Sequence, residues 1–139
     1  MLRFHHLGIA CKSILEEEVV WRLLGYRPEG AVFVDETQGI RGQFMVGGGP
    51  RIELLEATDG STTLAPWLKR RIKFYHTGYQ VVSFDATIET LVANGAIIAR
   101  SPVLSVYFKA RIAFLVMPNL AMIEVIEASQ EFAAPILEN

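Results

Sequence analysis

The chain has 139 residues, 51% of them apolar by type and 20% charged, with a net charge of −2. That length suits one domain with one core, and so apolar a composition excludes intrinsic disorder. The near balance of charge, with a pI near 5.9, offers no field for a nucleic-acid backbone or an anionic membrane, and no apolar run reaches the roughly 18 to 20 residues that cross a bilayer.

In chain order, Met1 to His6 shows no apolar leader and turns at once into strand-like sequence, which predicts a cytoplasmic protein. Alternation predicts a first strand over 4–11. A helix follows over 13–24, with Leu15, Val19, Leu23 and Leu24 on one face and Gly25 as its natural stop. Strands are expected at 30–36, 40–46 and 50–57, then a linker over 58–72 with a short helix at 64–71. A strand at 73–82 comes next, then a helix capped by Ser83 or Asp85, carrying Ile88, Leu91 and Val92 and closed by Asn94-Gly95. Strands at 96–100, 110–117 and 121–128 complete the pattern, and 129–139 reads as a short helix or frayed tail. Gly47-Gly48-Gly49-Pro50 and Met117-Pro118-Asn119 supply hairpin turns. Cys11 is the only cysteine, which excludes an internal disulfide or a cysteine-cluster metal site. Its apolar neighbours predict a buried thiol without a catalytic role.

The chain repeats itself. A shift of 70 superposes His6-Leu7-Gly8 on His76-Thr77-Gly78, Gly25 on Gly95, Arg41 on Arg111 and Phe44 on Phe114. A shift of 71 then places Ile52-Glu53 on Ile123-Glu124 and Glu56 on Glu127. The expected architecture is therefore α+β: a single domain over 1–139 made of two tandem βαβββ modules, about 4–57 and 73–128. Their strands are expected to form a curved, barrel-like mixed sheet with the helices on its convex side.

Side chains alternate faces along a strand, so His6 shares a face with Gly8 and Ala10, and Leu7, Ile9 and Cys11 take the helix side. The same parity puts Glu53, His76 and Glu124 on the helix-free face. Buried carboxylates are costly unless paired or bound to a cation. His6, Glu53, His76 and Glu124 together offer two imidazoles and two carboxylates, a donor set suited to divalent Co, Ni, Mn, Zn or Fe. Glu56 and Glu127 fall on the other face as strand-end charges, and His5, with parity opposite to His6, is left out as a ligand. Phe44 and Val46, with Phe114 and Val116, are expected toward the helices. That turns Arg41, Gln43, Met45 and Arg111 inward and makes Arg41, Gln43 and Arg111 candidates for holding a substrate carboxylate or phosphate. Tyr107, Phe108 and Lys109 lie in a longer connection placed to cover a cavity mouth.

At these residues the chain resembles the vicinal oxygen chelate superfamily, which includes glyoxalase I, methylmalonyl-CoA epimerase, extradiol dioxygenases and the fosfomycin and bleomycin resistance proteins. Phe4 to Ala10 looks like its opening strand, Arg51 to Glu56 its fourth, Tyr75 to Val81 its fifth and Met122 to Glu127 its last. Leu64 to Arg71 is similar to the linker helix of the epimerases, and its Lys69, Arg70 and Arg71 suit a charged tail such as that of coenzyme A. The resemblance implies a metal-dependent isomerase or lyase, with His6, Glu53, His76 and Glu124 as ligands and Glu124 as proton shuttle. The implied substrate is a small carbonyl, carboxylate or thioester compound, and the implied assembly a homodimer. Two alternatives share the fold, a metal-free binding or resistance protein and an extradiol dioxygenase. One departure narrows the reading: Thr37 stands where the epimerases carry a glutamate base, leaving Asp35 and Glu36 as the nearby acids.

Overall fold

A computed structural model describes residues 2–129, and the tail expected over 129–139 lies outside them from residue 130 on. Among the described residues are eight strands and three helices: β1 (Leu2–Ala10), α1 (Ile14–Leu23), β2 (Arg27–Asp35), β3 (Ile40–Val46), β4 (Ile52–Ala57), α2 (Ala65–Arg70), β5 (Phe74–Val81), α3 (Phe84–Ala93), β6 (Ile97–Leu104), β7 (Arg111–Val116) and β8 (Met122–Glu127). This is the expected βαβββ pattern, twice. No helix among these residues is long and apolar enough to cross a membrane.

The chain gathers into two compact units whose border does not fall in the 58–72 linker. One is His5–Gly78, and the other takes the start of β1 and everything described from Tyr79 on. In the first unit the strands run in the order β2-β3-β4-β1-β5, with β1 parallel to β4 and both β2/β3 and β3/β4 antiparallel. Its core on the α1 side joins Ile9, Cys11, Ile14, Tyr26, Met45, Ile52 and Leu54, with Leu7 and Trp21 against them. The first strand's parity is as expected. The opposite face, which carries His6, is not helix-free: α2 lays Trp67 and Leu68 over Ala10, Ile40, Leu55 and Leu64 at one end of it.

α1 stops as expected at Gly25, which has φ 90°, and Ser13 caps its start by accepting from the Glu16 amide. Its apolar stripe is not what anchors it. Leu15 and Leu23 are 79% and 83% exposed, and the helix rests on Ile14 and Trp21 instead. In the second unit β8 and β7 follow the end of β5 and β6 forms the edge. There α3 sets Phe84 and Ile88 on Val81, Ala113, Leu115, Ile123 and Val125.

Two registers overturn the expected orientation of β3 and β7. Phe44 pairs with Glu53 and Gln43 with Leu54, so Phe44 stands on the histidine face, and Arg41, Gln43 and Met45 stand on the α1 side. In the second unit Phe114 pairs with Glu124, and Arg111 stands on the α3 side. Size misled the reading of the phenylalanines: a large apolar ring suits either buried face, and only strand pairing decides which.

Cys11 is fully buried, and burial first, with Glu17 adding to it, pushes its thiol up to about 12. The folded protein is therefore expected to resist iodoacetamide at pH 8, with alkylation appearing only across the urea unfolding transition. Rapid labelling of the native state, read by mass spectrometry, contradicts this packing.

Candidate metal centre

The centre is built by β1, β4 and β5 within the first unit. His6 and His76 are buried, and their Nε2 atoms lie 2.9 Å apart. Glu53 Oε1 lies 3.2 Å from His6 Nε2 and 3.5 Å from His76 Nε2. All three donor atoms fall within 4.8 Å of one another.

The two His-x-Gly motifs explain how rings on neighbouring strands meet. A Cβ on Gly8 would occupy the His76 ring, and a Cβ on Gly78 would occupy the His6 ring. Each imidazole therefore lies over the glycine of the other strand. Glycine is required at both places for space and not for backbone freedom, since neither has positive φ. Phe44 stands edge-on to His6 at 5.2 Å and 87°, and stacks on Phe33 at 6.0 Å. The Phe33 ring itself covers Gly42, a third glycine in use as ring space.

Burial raises the Glu53 carboxyl, but the facing imidazoles of His6 and His76 outweigh it and hold the group at about 2. Burial lowers the His76 imidazole, and the charge of His6 acts in the same direction, with Glu53 opposing. At neutral pH the centre therefore presents an ionised carboxylate beside an imidazole disposed to stay neutral, the states in which both types bind a cation.

Glu124, the expected fourth ligand, is buried on β8 opposite Phe114, as Glu53 is opposite Phe44. It belongs to the second unit, and the three-residue cluster does not include it. The candidate substrate residues have structural partners. Gln43 Nε2 donates to the carbonyls of Glu29, Gly30 and Phe44 at 3.4, 3.0 and 2.9 Å, filling the β-bulge where β2 slips register on β3. Arg41 pairs with Glu56 at 3.3 Å, and Glu56 also accepts from the Ile14 amide at the start of α1. Arg111 pairs with Glu127 and Asp85 and lies over the Phe84 ring at 4.6 Å. None of the three is turned to the face that their candidate role requires.

Parity missed one neighbour of the centre besides Phe44. His5 Nδ1 lies 2.8 Å from His6 Nδ1, and its ring stands edge-on to Phe44 at 5.6 Å. Asp35 pairs with Ile40, which places it on the histidine-bearing face; it is fully buried and accepts from Gln38 N and Nε2 at 3.2 and 2.7 Å. Glu36 is exposed in the turn after it. Of the basic run, Arg71 lines a separate cleft of about 400 Å³ with Lys12, Trp67 and Lys73.

Two βαβββ repeats around a buried cluster of two histidines and one carboxylate define a class of α+β protein with a candidate metal centre. The chain belongs to the glyoxalase/bleomycin resistance protein/dioxygenase superfamily, whose model matches residues 5–114. Similar solved structures include the hypothetical protein BH1468 from Bacillus halodurans C-125, with a TM-score of 0.77, 25% identity and 99% of both chains covered. A Streptomyces coelicolor methylmalonyl-CoA epimerase variant in complex with 2-nitronate-propionyl-CoA scores 0.75 at 23% identity, covering 91% of this chain and 96% of that one. Methylmalonyl-CoA epimerase from Mycobacterium tuberculosis scores 0.74 at 24%, covering 95% and 91%. The likeness to both epimerases is one of fold. No curated protein matches the chain.

Two outcomes are expected. Gly8→Ala and Gly78→Ala each force an imidazole aside and should cost about 1–3 kcal/mol in urea unfolding. An unchanged midpoint in both means the rings do not cross as described. The second outcome is a pH dependence. With His76 lowered in the folded state, the unfolded chain binds more protons below about pH 6.5, so the metal-free protein should lose stability as pH falls from 7.5 to 5.5. Glu53 adds nothing in that window: its contribution is complete above 4.5 and is lost only as pH falls toward 2. His76→Gln should flatten the upper slope, and an equally steep slope in that variant removes His76 as its source.

Proposed function

We propose that the chain is a divalent-metal-dependent enzyme of the glyoxalase or epimerase type, an isomerase or lyase that stabilises an enolate or related oxyanion of a small carbonyl, carboxylate or thioester substrate. The observation that carries this reading is the convergence of His6 Nε2, His76 Nε2 and Glu53 Oε1 within 4.8 Å in a buried cluster. The donor chemistry fits Co, Ni, Mn, Zn or Fe, and the two glycines leave the room the rings need to aim their Nε2 atoms at one point. Those three residues would hold the cation. When bound, it supplies Lewis acidity to substrate oxygen atoms.

The chain's own residues supply the rest. Glu53 enters already ionised, and His76 is disposed to be neutral, so few protons need leave on binding. Phe44 and Phe33 shield the centre from water on the β3 side. On the repeat alone, Glu124 is the candidate fourth ligand and proton shuttle. Asp35 is the second candidate acid, because it stands on the histidine face where Glu36 does not. The neighbour that holds 2-nitronate-propionyl-CoA supports an acyl-CoA thioester as one substrate class. The family resemblance supports a homodimer.

The test is metal content together with solvent exchange. Purified protein incubated with Co, Ni, Mn or Zn is expected to retain stoichiometric metal and to exchange the α-proton of a methylmalonyl-type thioester for deuterium, followed by NMR. Glu124→Gln should slow that exchange by about 10²–10⁴-fold. Failure to retain any of these metals overturns the reading in favour of a metal-free binding protein.

A second reading rests on the same cluster, since two imidazoles and one carboxylate are also the donor set of non-haem iron oxygenases. Iron-loaded protein that consumes oxygen with catechols, and leaves thioester protons in place, selects an extradiol dioxygenase.

A further inference from the structure

We infer that His5 is a positioning residue for the metal centre, one that fixes the tautomer and orientation of His6; this inference rests on the metal reading above. His5 Nδ1 and His6 Nδ1 are 2.8 Å apart, so one of the two carries the shared proton. A cation held at His6 Nε2 requires the lone pair there, which leaves the His6 proton on Nδ1, donating to His5 Nδ1. The same assignment makes His6 Nε2 an acceptor for His76 Nε2–H across the 2.9 Å contact when no cation is present.

Strand parity sends His5 away from the centre, yet its ring leans back to it. The parallel pairing of β1 with β4 begins only at Leu7, so His5 precedes the stretch packed on α1. Its ring is perpendicular to both Phe44 and His6, at 5.6 and 5.1 Å. Its carbonyl accepts from Arg51 Nη1 at 3.3 Å, and Arg51 is itself paired with Glu29 at 3.0 Å. The acceptor nitrogen is thus set in place by an aromatic contact on its ring and an ion-paired arginine on its backbone. Groups that accept from the outer nitrogen of a ligating histidine typically change metal affinity by about 10–100-fold.

The experiment compares the full-length wild type, His5→Phe and His5→Asn. Phenylalanine keeps the ring against Phe44 and removes the acceptor, and the Asn Oδ1 lies near the position of the lost Nδ1. Co(II) affinity is expected to fall about 10–100-fold in His5→Phe and to be largely restored in His5→Asn. Nitrogen-15 NMR of the metal-free proteins is expected to show His6 as the Nδ1–H tautomer in the wild type and His5→Asn, and as a mixture in His5→Phe. Equal Co(II) affinity in the wild type and His5→Phe overturns the inference, as does a His5→Asn variant as weak as His5→Phe. Wild-type protein that binds no Co(II) sinks the metal reading instead. In that case the NMR alone decides the bond, and a His6 spectrum unchanged by His5→Phe removes the positioning role.

Discussion

Each of two imidazoles lies over a glycine on the other's strand, and the centre depends on that reciprocal seating. Glycine inside a strand costs roughly 0.5–1 kcal/mol relative to alanine, and β1 and β5 each carry one where any Cβ would strike a ring. The gain is geometric. With both rings laid across the strand gap, two Nε2 atoms meet at one point and Glu53 reaches both from β4. Remove either glycine and a ring must leave, taking with it the partner that keeps a buried carboxylate charged.

That seating has an electrostatic consequence. At neutral pH Glu53 stays ionised, and burial disfavours the charged form of His76. A divalent cation at the meeting point of Glu53, His6 and His76 would replace the hydrogen bonds that join them in its absence. Folding provides the energy that brings these atoms together, so metal affinity and fold stability are linked through the same cluster.

The repeat, the order of elements and the three converging ligands were legible because each leaves a periodic mark: strand alternation, glycines at helix ends, and His-x-Gly and Ile-Glu recurring in equivalent strands. Where the reading failed, the deciding quantity was a pairing that no local pattern encodes. Phe44 and Gln43 exchanged faces because register, and not side-chain size, sets the face, and Gln43 is held by carbonyls freed at a bulge in another strand. The stripe of Leu15, Val19 and Leu23 formed at helical spacing yet stayed exposed, since α1 meets the sheet through Ile14 and Trp21. Parity sets His5 on the other face from His6, but it fixes where a Cβ points and not where the ring leans.

Fold does not choose the reaction here. The same repeats carry isomerases, oxygenases and resistance proteins, so chemistry must be argued from the acids near the centre. The threonine at position 37 cannot take an acidic proton at neutral pH, and the turn over 36–39 directs Glu36 to solvent. Asp35 differs from both: strand pairing with Ile40 keeps it on the histidine face, and two donors from Gln38 fix its carboxylate. Along β2 it stands two residues beyond Phe33, about 6–7 Å farther from the part of the sheet that faces Glu53. If Asp35 is the base, the reacting carbon lies toward the α2 end of the sheet; if it is not, proton transfer falls to a carboxylate that is itself a proposed ligand.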